Sequence, residues 1–162
     1  MDVNQTTLQA IYDGWHHYQE LLIAALAPLT PGQLAFQSAT NLRSIEAIAT
    51  HIIGARGRWF APPLGDGNKQ LAAFSRWDRR GGPVRTTAEI ITGLQFTLDY
   101  VHTTINHWTP SDWQATVPGE GLYDPAVDTR QWVIWHLIEH DLHHGGEISL
   151  TLGMHKLTAP DL

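Results

Sequence analysis

Ten histidines and no cysteine stand in this chain, and four of the histidines, His136, His140, His143 and His144, crowd into one short stretch. That stretch, Trp132 to Met154, reads WVIWHLIEHDLHHGGEISLTLGM and is otherwise rich in Trp, Val, Ile and Leu. On an α-helix, residues four apart lie above one another, so His136, His140 and His144 form a ladder. Val133, Leu137 and Ile148 fall on much the same stripe, which turns the ladder inward. Two imidazoles at i and i+4 facing a helical core are a common way for one helix to offer two ligands to one metal ion. Three rungs are too many for one ion. His136 and His144 are separated by roughly 12 Å at about 1.5 Å rise per residue, whereas metal–nitrogen bonds are about 2.0–2.1 Å. One adjacent pair chelates, either His136/His140 or His140/His144, and a third ligand must come from another element.

The elements that could supply it are amphipathic helices. The first runs from about Thr6 to Ala27, with Leu8, Ile11, Trp15, Tyr18, Leu22 and Leu26 at spacings of three and four, and Pro28 and Thr30-Pro31-Gly32 stop it. Its His16 and His17 read as surface or hydrogen-bonded residues. The second, about Ile45 to Phe60, is N-capped by Ser44 with Glu46 in its first turn. His51 lies on its apolar side between Ile48 and Ile52, either a core histidine or the missing ligand. The third opens at Thr86 with Glu89 as a capping box and runs through Ile90, Leu94, Leu98, Val101 and Ile105. His102 and His107 lie off that stripe and are expected to be exposed. The fourth is the histidine helix, capped by Asp128 or Thr129.

Residues 61–85 connect the second and third helices, far longer than the usual link between antiparallel neighbours. These two helices should therefore run parallel, joined by a crossover along a four-helix bundle. Residues 111–129 form a second long connection, a short hairpin or a lid. The whole chain, 1–162, is long enough for one domain with a real core.

Composition narrows the chemistry. Without cysteine there is no disulfide, thiolate-bound zinc, iron–sulfur cluster or cysteine nucleophile. Any metal is held by nitrogen and oxygen. No apolar run is long enough to span a membrane, and the N-terminal residues lack the pattern of a secretion signal, which together point to the cytoplasm. The net charge of −6 argues against general nucleic-acid binding. Seven of the ten basic residues lie between Arg56 and Arg85, against Asp66 and Asp78 only. That segment reads as a solvated loop, with receipt of a small anionic substrate as the alternative.

The residues thus suggest a mononuclear site of His51 and two histidines of the last helix, with a fourth position open to water or substrate. Imidazole suits zinc, nickel, iron or copper. Glu147, one turn beyond His144, reads as a fourth ligand, an orienter of an imidazole or a general base. Glu139 and His143 read as an ordinary i,i+4 polar pair. Only His-x-x-Glu occurs, so a carboxylate-rich di-iron bundle is disfavoured. No nucleophile elbow, phosphate-binding loop or HExxH motif is present.

Three blocks resemble the DinB-like (DinB/YfiT-like) metal-dependent four-helix-bundle family. LAPLTPGQLAFQSATNLRSIEAIATHIIGARGRWF is similar to its connector and second helix, with Ser44-Ile45 and His51 in the family pattern. TTAEIITGLQFTLDYVHTTINHWTPSDW resembles its third helix. HLIEHDLHHGGEISLTLGM carries the His-x-x-x-His-x-Gly-Gln pattern as His140, His144, Gly146 and Glu147, the last a departure from Gln. The resemblance implies an up-down-down-up bundle and a metal site of His51, His140 and His144, with His136 one rung away in a supporting role. It further implies zinc or nickel as the divalent ion, a low-molecular-weight thiol and a small-molecule substrate as partners, and a homodimer. The implied activity is thiol-dependent S-transfer, and the other expectations are a metal-dependent hydrolase or a non-catalytic metal-binding or dimerisation module.

Overall fold

The computed structural model describes residues 3–64, 69–117 and 129–161. Four long helices dominate it: α1 (Val3–Leu26), α3 (Ile45–Leu64), α5 (Thr87–Ile105) and α7 (Arg130–Met154). Three short ones, α2 (Pro31–Leu34), α4 (Lys69–Phe74) and α6 (Pro110–Gln114), lie in the connections. Among the described residues there is no strand, only isolated antiparallel bridges at Gln37–Ser44 and Thr116–Thr129. The second bridge joins the two ends of the connection expected to be a hairpin or lid; residues 118–128 of it lie outside the described residues.

Local chemistry sets the helix starts. Thr86 and Glu89 form the predicted capping box of α5, the Ser44 hydroxyl accepts from the Ala47 N–H at 3.2 Å, and Thr129 accepts from the Trp132 N–H to start α7. Each satisfies an N–H that the helix cannot bond internally. Helix α3 ends later than the sequence suggests, running through Pro62 and Pro63 to Leu64. Proline's fixed φ is helical, so a terminal turn can lose hydrogen bonds there and still keep its path.

Helix α3 packs against both α5 and α7, and α1 packs against α5. The apolar interior has two parts. One contains Leu22, Leu26, Ile48, Ile52, Ile53, Ile90, Leu94, Ile148 and Leu152. The other contains Trp15, Phe60, Leu98, Val101, Val133, Ile134, Leu137 and Ile138. A polar layer separates them, to which each long helix contributes one buried residue: Gln19, Arg56, Thr97 and Asp141. Burial on α1 begins at Trp15; Leu8 and Ile11, earlier on the predicted stripe, remain exposed. With Trp108, Trp113 and Trp135 they line an apolar groove instead.

Helices α1 and α7 meet at Gly145, where a Cβ would overlap the Tyr18 hydroxyl and ring. Gly146, the glycine of the sequence pattern, faces open space.

Candidate metal centre

His51 on α3 and His140 and His144 on α7 converge, each half-buried, with ligand atoms within 4.8 Å of one another. His140 Nε2 lies 3.2 Å from His51 Nε2. Two nitrogens bound to one tetrahedral ion at about 2.0–2.1 Å stand ~3.3 Å apart, so the spacing already suits a shared ion. Of the two registers open on α7, the structure brings together His140 and His144.

Two of the three imidazoles have a carboxylate bonded behind them. The His51 Nδ1–H donates to Asp78 Oδ2 at 2.7 Å, and Arg58 grips both oxygens of Asp78 at 2.5 and 2.9 Å. The His144 Nδ1–H donates to Glu147 Oε2 at 2.7 Å. His140 Nδ1 faces Asp141 Oδ1 at 4.0 Å. Carboxylates at Nδ1 of His51 and His144 fix their tautomers and leave Nε2 as the free donor on each ring, the arrangement that orients metal-binding histidines.

Electrostatics keep two of these rings from taking a second proton. Burial pushes the His51 imidazolium pKa down, and Arg43 and His140 add to this against the opposing bond to Asp78. Burial likewise lowers His144 to about 4, helped by His140 and His51 and opposed by Glu147. At neutral pH both are neutral imidazoles, the form a metal requires. Asp78 and Glu147 are driven up by burial, but their hydrogen bonds to Arg58 and His51, and to His144, outweigh it and hold both below the ordinary carboxylate range. Three converging imidazoles, two of them neutral and oriented through Nδ1, fit a divalent transition ion and could hold one.

The site is accessible from two sides. A cavity of about 320 Å³ is lined by His51, Asp78, Arg43, Thr50, Trp77 and Arg79 among others. A second, of about 430 Å³, is lined by His144, Glu147, Arg43, Asn41 and Leu150 among others. Arg43 borders both.

The other histidines take different places. His136 stacks on Trp132, with ring centroids 5.2 Å apart, and meets Trp59 edge-on. Its Nδ1 bonds Glu139 at 3.0 Å, so Glu139 pairs with His136 rather than with the expected His143. His143 is exposed, 3.9 Å from Glu147; these two and His144 form a second, mostly exposed cluster. His102 corrects another expectation. It is half-buried against Trp15, Tyr12 and His16, and burial, then His16 and Arg56, lowers it to about 4. It turns inward because α1 lies over that side of α5.

The basic segment is also not one solvated loop. Lys69, Arg76, Arg79 and Arg80 are exposed, but Arg58 is bound to Asp78. Arg85 lies over the Trp77 ring at 4.3 Å and pairs with Glu89. Arg56 is 0% exposed.

Sequence reasoning passed over Asp78, Arg56 and Asp141. A signal existed for the last two, since Ile52–Arg56–Phe60 and Leu137–Asp141–Gly145 each continue an apolar stripe at spacings of four. Opposite charges on two inward stripes read as a buried pair.

A search of curated proteins finds no match to this chain. Among solved structures it is similar to a DinB-like protein from Bacillus cereus ATCC 10987, with 19% identity, a TM-score of 0.71, and coverage of 95% of this chain and 96% of that one. That likeness supports the fold. The family model of the DinB superfamily matches residues 14–148, most of the sequence including all three converging histidines. The chain belongs to the DinB superfamily.

Proposed function

We propose that His51, His140 and His144 hold a single divalent transition ion, zinc or nickel, and that the protein is a cytoplasmic thiol-dependent S-transferase. The observation that carries the reading is the convergence of three imidazoles, two of them bonded to carboxylates through Nδ1. Bound there, the ion supplies a Lewis acid that lowers the pKa of a thiol or water. The absence of any cysteine makes a small-molecule thiol the source of sulfur. In this reading Asp78 and Glu147 orient His51 and His144, and Arg43, bordering both cavities, receives a carboxylate of the thiol or its acceptor.

A non-catalytic site would have Glu147 complete the coordination, and a hydrolase would use it as general base. Its bond to the Nδ1 of His144 favours the orienting role over both. The same reading takes residues 1–162 as one up-down-down-up four-helix-bundle domain. No described helix is long and apolar enough to cross a membrane. The exposed Leu8, Ile11 and Trp135 offer a face on α1 and α7 for a homodimer, which sedimentation would detect.

The test is metal analysis of protein purified without an affinity tag, followed by a screen of thiol–electrophile pairs against esters and amides. About one ion per chain, absent from the His51→Ala/His144→Ala variant, and turnover only with thiol are expected. Full occupancy in that variant would refute the ligand set; turnover without thiol would refute the reaction class. Arg43→Ala should raise KM for carboxylated thiols by roughly tenfold, the scale of one lost charged hydrogen bond, and leave neutral thiols unaffected.

A further inference from the structure

The polar layer beneath the triad turns a buried, unpartnered oxygen toward an equally unpartnered nitrogen of the triad. The Arg56 guanidinium has five N–H groups, and its three nitrogens make five contacts. Its Nε–H and one terminal N–H donate to Asp141 Oδ2 at 3.0 and 2.6 Å. The others reach Gln19 Oε1 at 2.6 Å, the Leu94 carbonyl at 3.0 Å and Thr97 Oγ1 at 3.3 Å. The Trp15 indole N–H also donates to Asp141 Oδ2, at 2.7 Å. All three donors to this carboxylate thus converge on one oxygen. Among the described residues, Oδ1 is buried without a hydrogen bond, and so is His140 Nδ1, the nitrogen that faces it at 4.0 Å. Buried polar atoms without partners are rare enough to need a reason.

One proton placement accounts for both. Asp78 is an ionised acceptor, so His51 must carry its proton on Nδ1 to make their 2.7 Å bond, which leaves His51 Nε2 with only a lone pair. The 3.2 Å contact between the two Nε2 atoms then requires the His140 proton on Nε2. His140 Nδ1 is consequently bare, and a bare nitrogen cannot donate to Asp141 Oδ1. In a metal-binding state His140 Nε2 must instead be bare.

We propose that Asp141, anchored by Arg56 and Trp15, is a positioning residue that receives the His140 Nδ1–H in the metal-bound state, so that ion uptake switches His140 from its Nε2–H to its Nδ1–H tautomer. The proton lost from Nε2 is balanced by one gained at Nδ1. The His140–His51 bond is exchanged for a His140–Asp141 bond. All three ligands are then backed by a carboxylate. This inference rests on the proposed metal site.

Asp141→Asn tests it chemically. Arg56 and Trp15 are donors, so they would hold the amide oxygen and turn the Asn NH2 toward His140. That group would donate to the bare Nδ1 and favour the tautomer that cannot bind. The probe is Zn²⁺ alone, chosen because it is diamagnetic, titrated by calorimetry into metal-stripped protein. Two-bond ¹⁵N–¹H NMR reads the His140 tautomer, assigned with His140→Gln. In the wild type, Nε2–H is expected without zinc and Nδ1–H with it. Asp141→Asn should weaken zinc binding about 10–100-fold, the usual effect of removing such a partner. Wild-type affinity in a folded Asp141→Asn would overturn the proposal. So would an unchanged His140 tautomer on loading the wild type, a reading that needs no variant to fold. Failure of the wild type to take up zinc would overturn the metal site itself, and this inference with it.

Discussion

Replacing Arg56 by methionine should be among the most damaging single changes in this protein, by a mechanism that pH can expose. The side chain is wholly buried, and Asp141 is 1% exposed. Methionine roughly keeps the apolar stem but leaves the carboxylate, among the described residues, with the Trp15 N–H alone. It also strands the Gln19 acceptor. Removing one partner of a buried ion pair costs about 3–5 kcal/mol, which for a chain of this size lowers the melting temperature by roughly 6–20 °C. In the wild type, burial pushes Asp141 up, but the Arg56 charge and the hydrogen bonds to the carboxylate together outweigh it and hold the group below the ordinary carboxylate range. Its contribution is therefore present above the unfolded carboxyl pKa and is lost as pH falls through the folded one. In Arg56→Met the largest influence opposing burial is gone and the pKa rises above the ordinary value. The buried carboxyl then protonates at mildly acidic pH, and the deficit relative to wild type shrinks between neutral pH and about pH 5. Urea unfolding followed by circular dichroism at both pH values measures this directly. Replacing both partners, as Arg56→Met/Asp141→Leu, should recover most of the lost stability because no charge remains buried. A deficit under about 1 kcal/mol, far below that expected of a broken buried pair, would refute the reasoning. A pH-independent deficit, or a double variant weaker than Arg56→Met, would do the same.

Three further outcomes follow from the geometry. Asp78→Asn should weaken zinc binding about 10–100-fold by loosening the tautomer and orientation of His51, with calorimetry as the measure and little change in circular dichroism. Gly145→Ala should cost about 1–3 kcal/mol in urea unfolding through overpacking against Tyr18, whereas Gly146→Ala, facing open space, should stabilise α7 by about 0.5–1 kcal/mol. His102, lowered to about 4 by burial, is neutral in the fold while the unfolded chain takes up a proton near pH 6.5; stability falls as pH drops between these values, and metal-stripped His102→Phe should lose less over that window in acid titrations of the unfolding free energy.

What the sequence made legible was whatever a single helix encodes. The i,i+4 ladder placed His140 and His144 on one face, the apolar stripe placed His51 inside, and Thr86, Ser44 and Thr129 marked helix starts that the structure bears out. The register on α7 was different, because His136/His140 and His140/His144 have identical spacing. Spacing does not select between them; the family resemblance and the position of α3 do. Contacts between distant segments were less visible still. Asp78 lies in a connector whose many arginines read as one charged run, yet its fold places it 2.7 Å behind His51. Asp141 continues the apolar stripe of Leu137, but its partner Arg56 is 85 residues away in sequence and only helix packing brings the two together. His102 is off the stripe of its own helix and is covered by a neighbour that its local pattern does not mention.

The polar layer connects fold and site in a way that the double variant can separate. Four helices each place a polar side chain where two apolar clusters could have merged. Well-packed apolar residues in place of a buried ion pair are often neutral or stabilising, so the layer is poorly explained by stability alone. The unpaired Asp141 oxygen lies on the side facing His140, the one ligand lacking a close carboxylate bond. If the layer serves that ligand, Arg56→Met/Asp141→Leu should be nearly as stable as wild type and yet bind zinc about 10–100-fold more weakly, because nothing is left to accept the Nδ1–H. Recovery of both properties together would mean that the layer is structural only. Recovery of stability alone would place Asp141 in the metal site while leaving it dispensable to the fold.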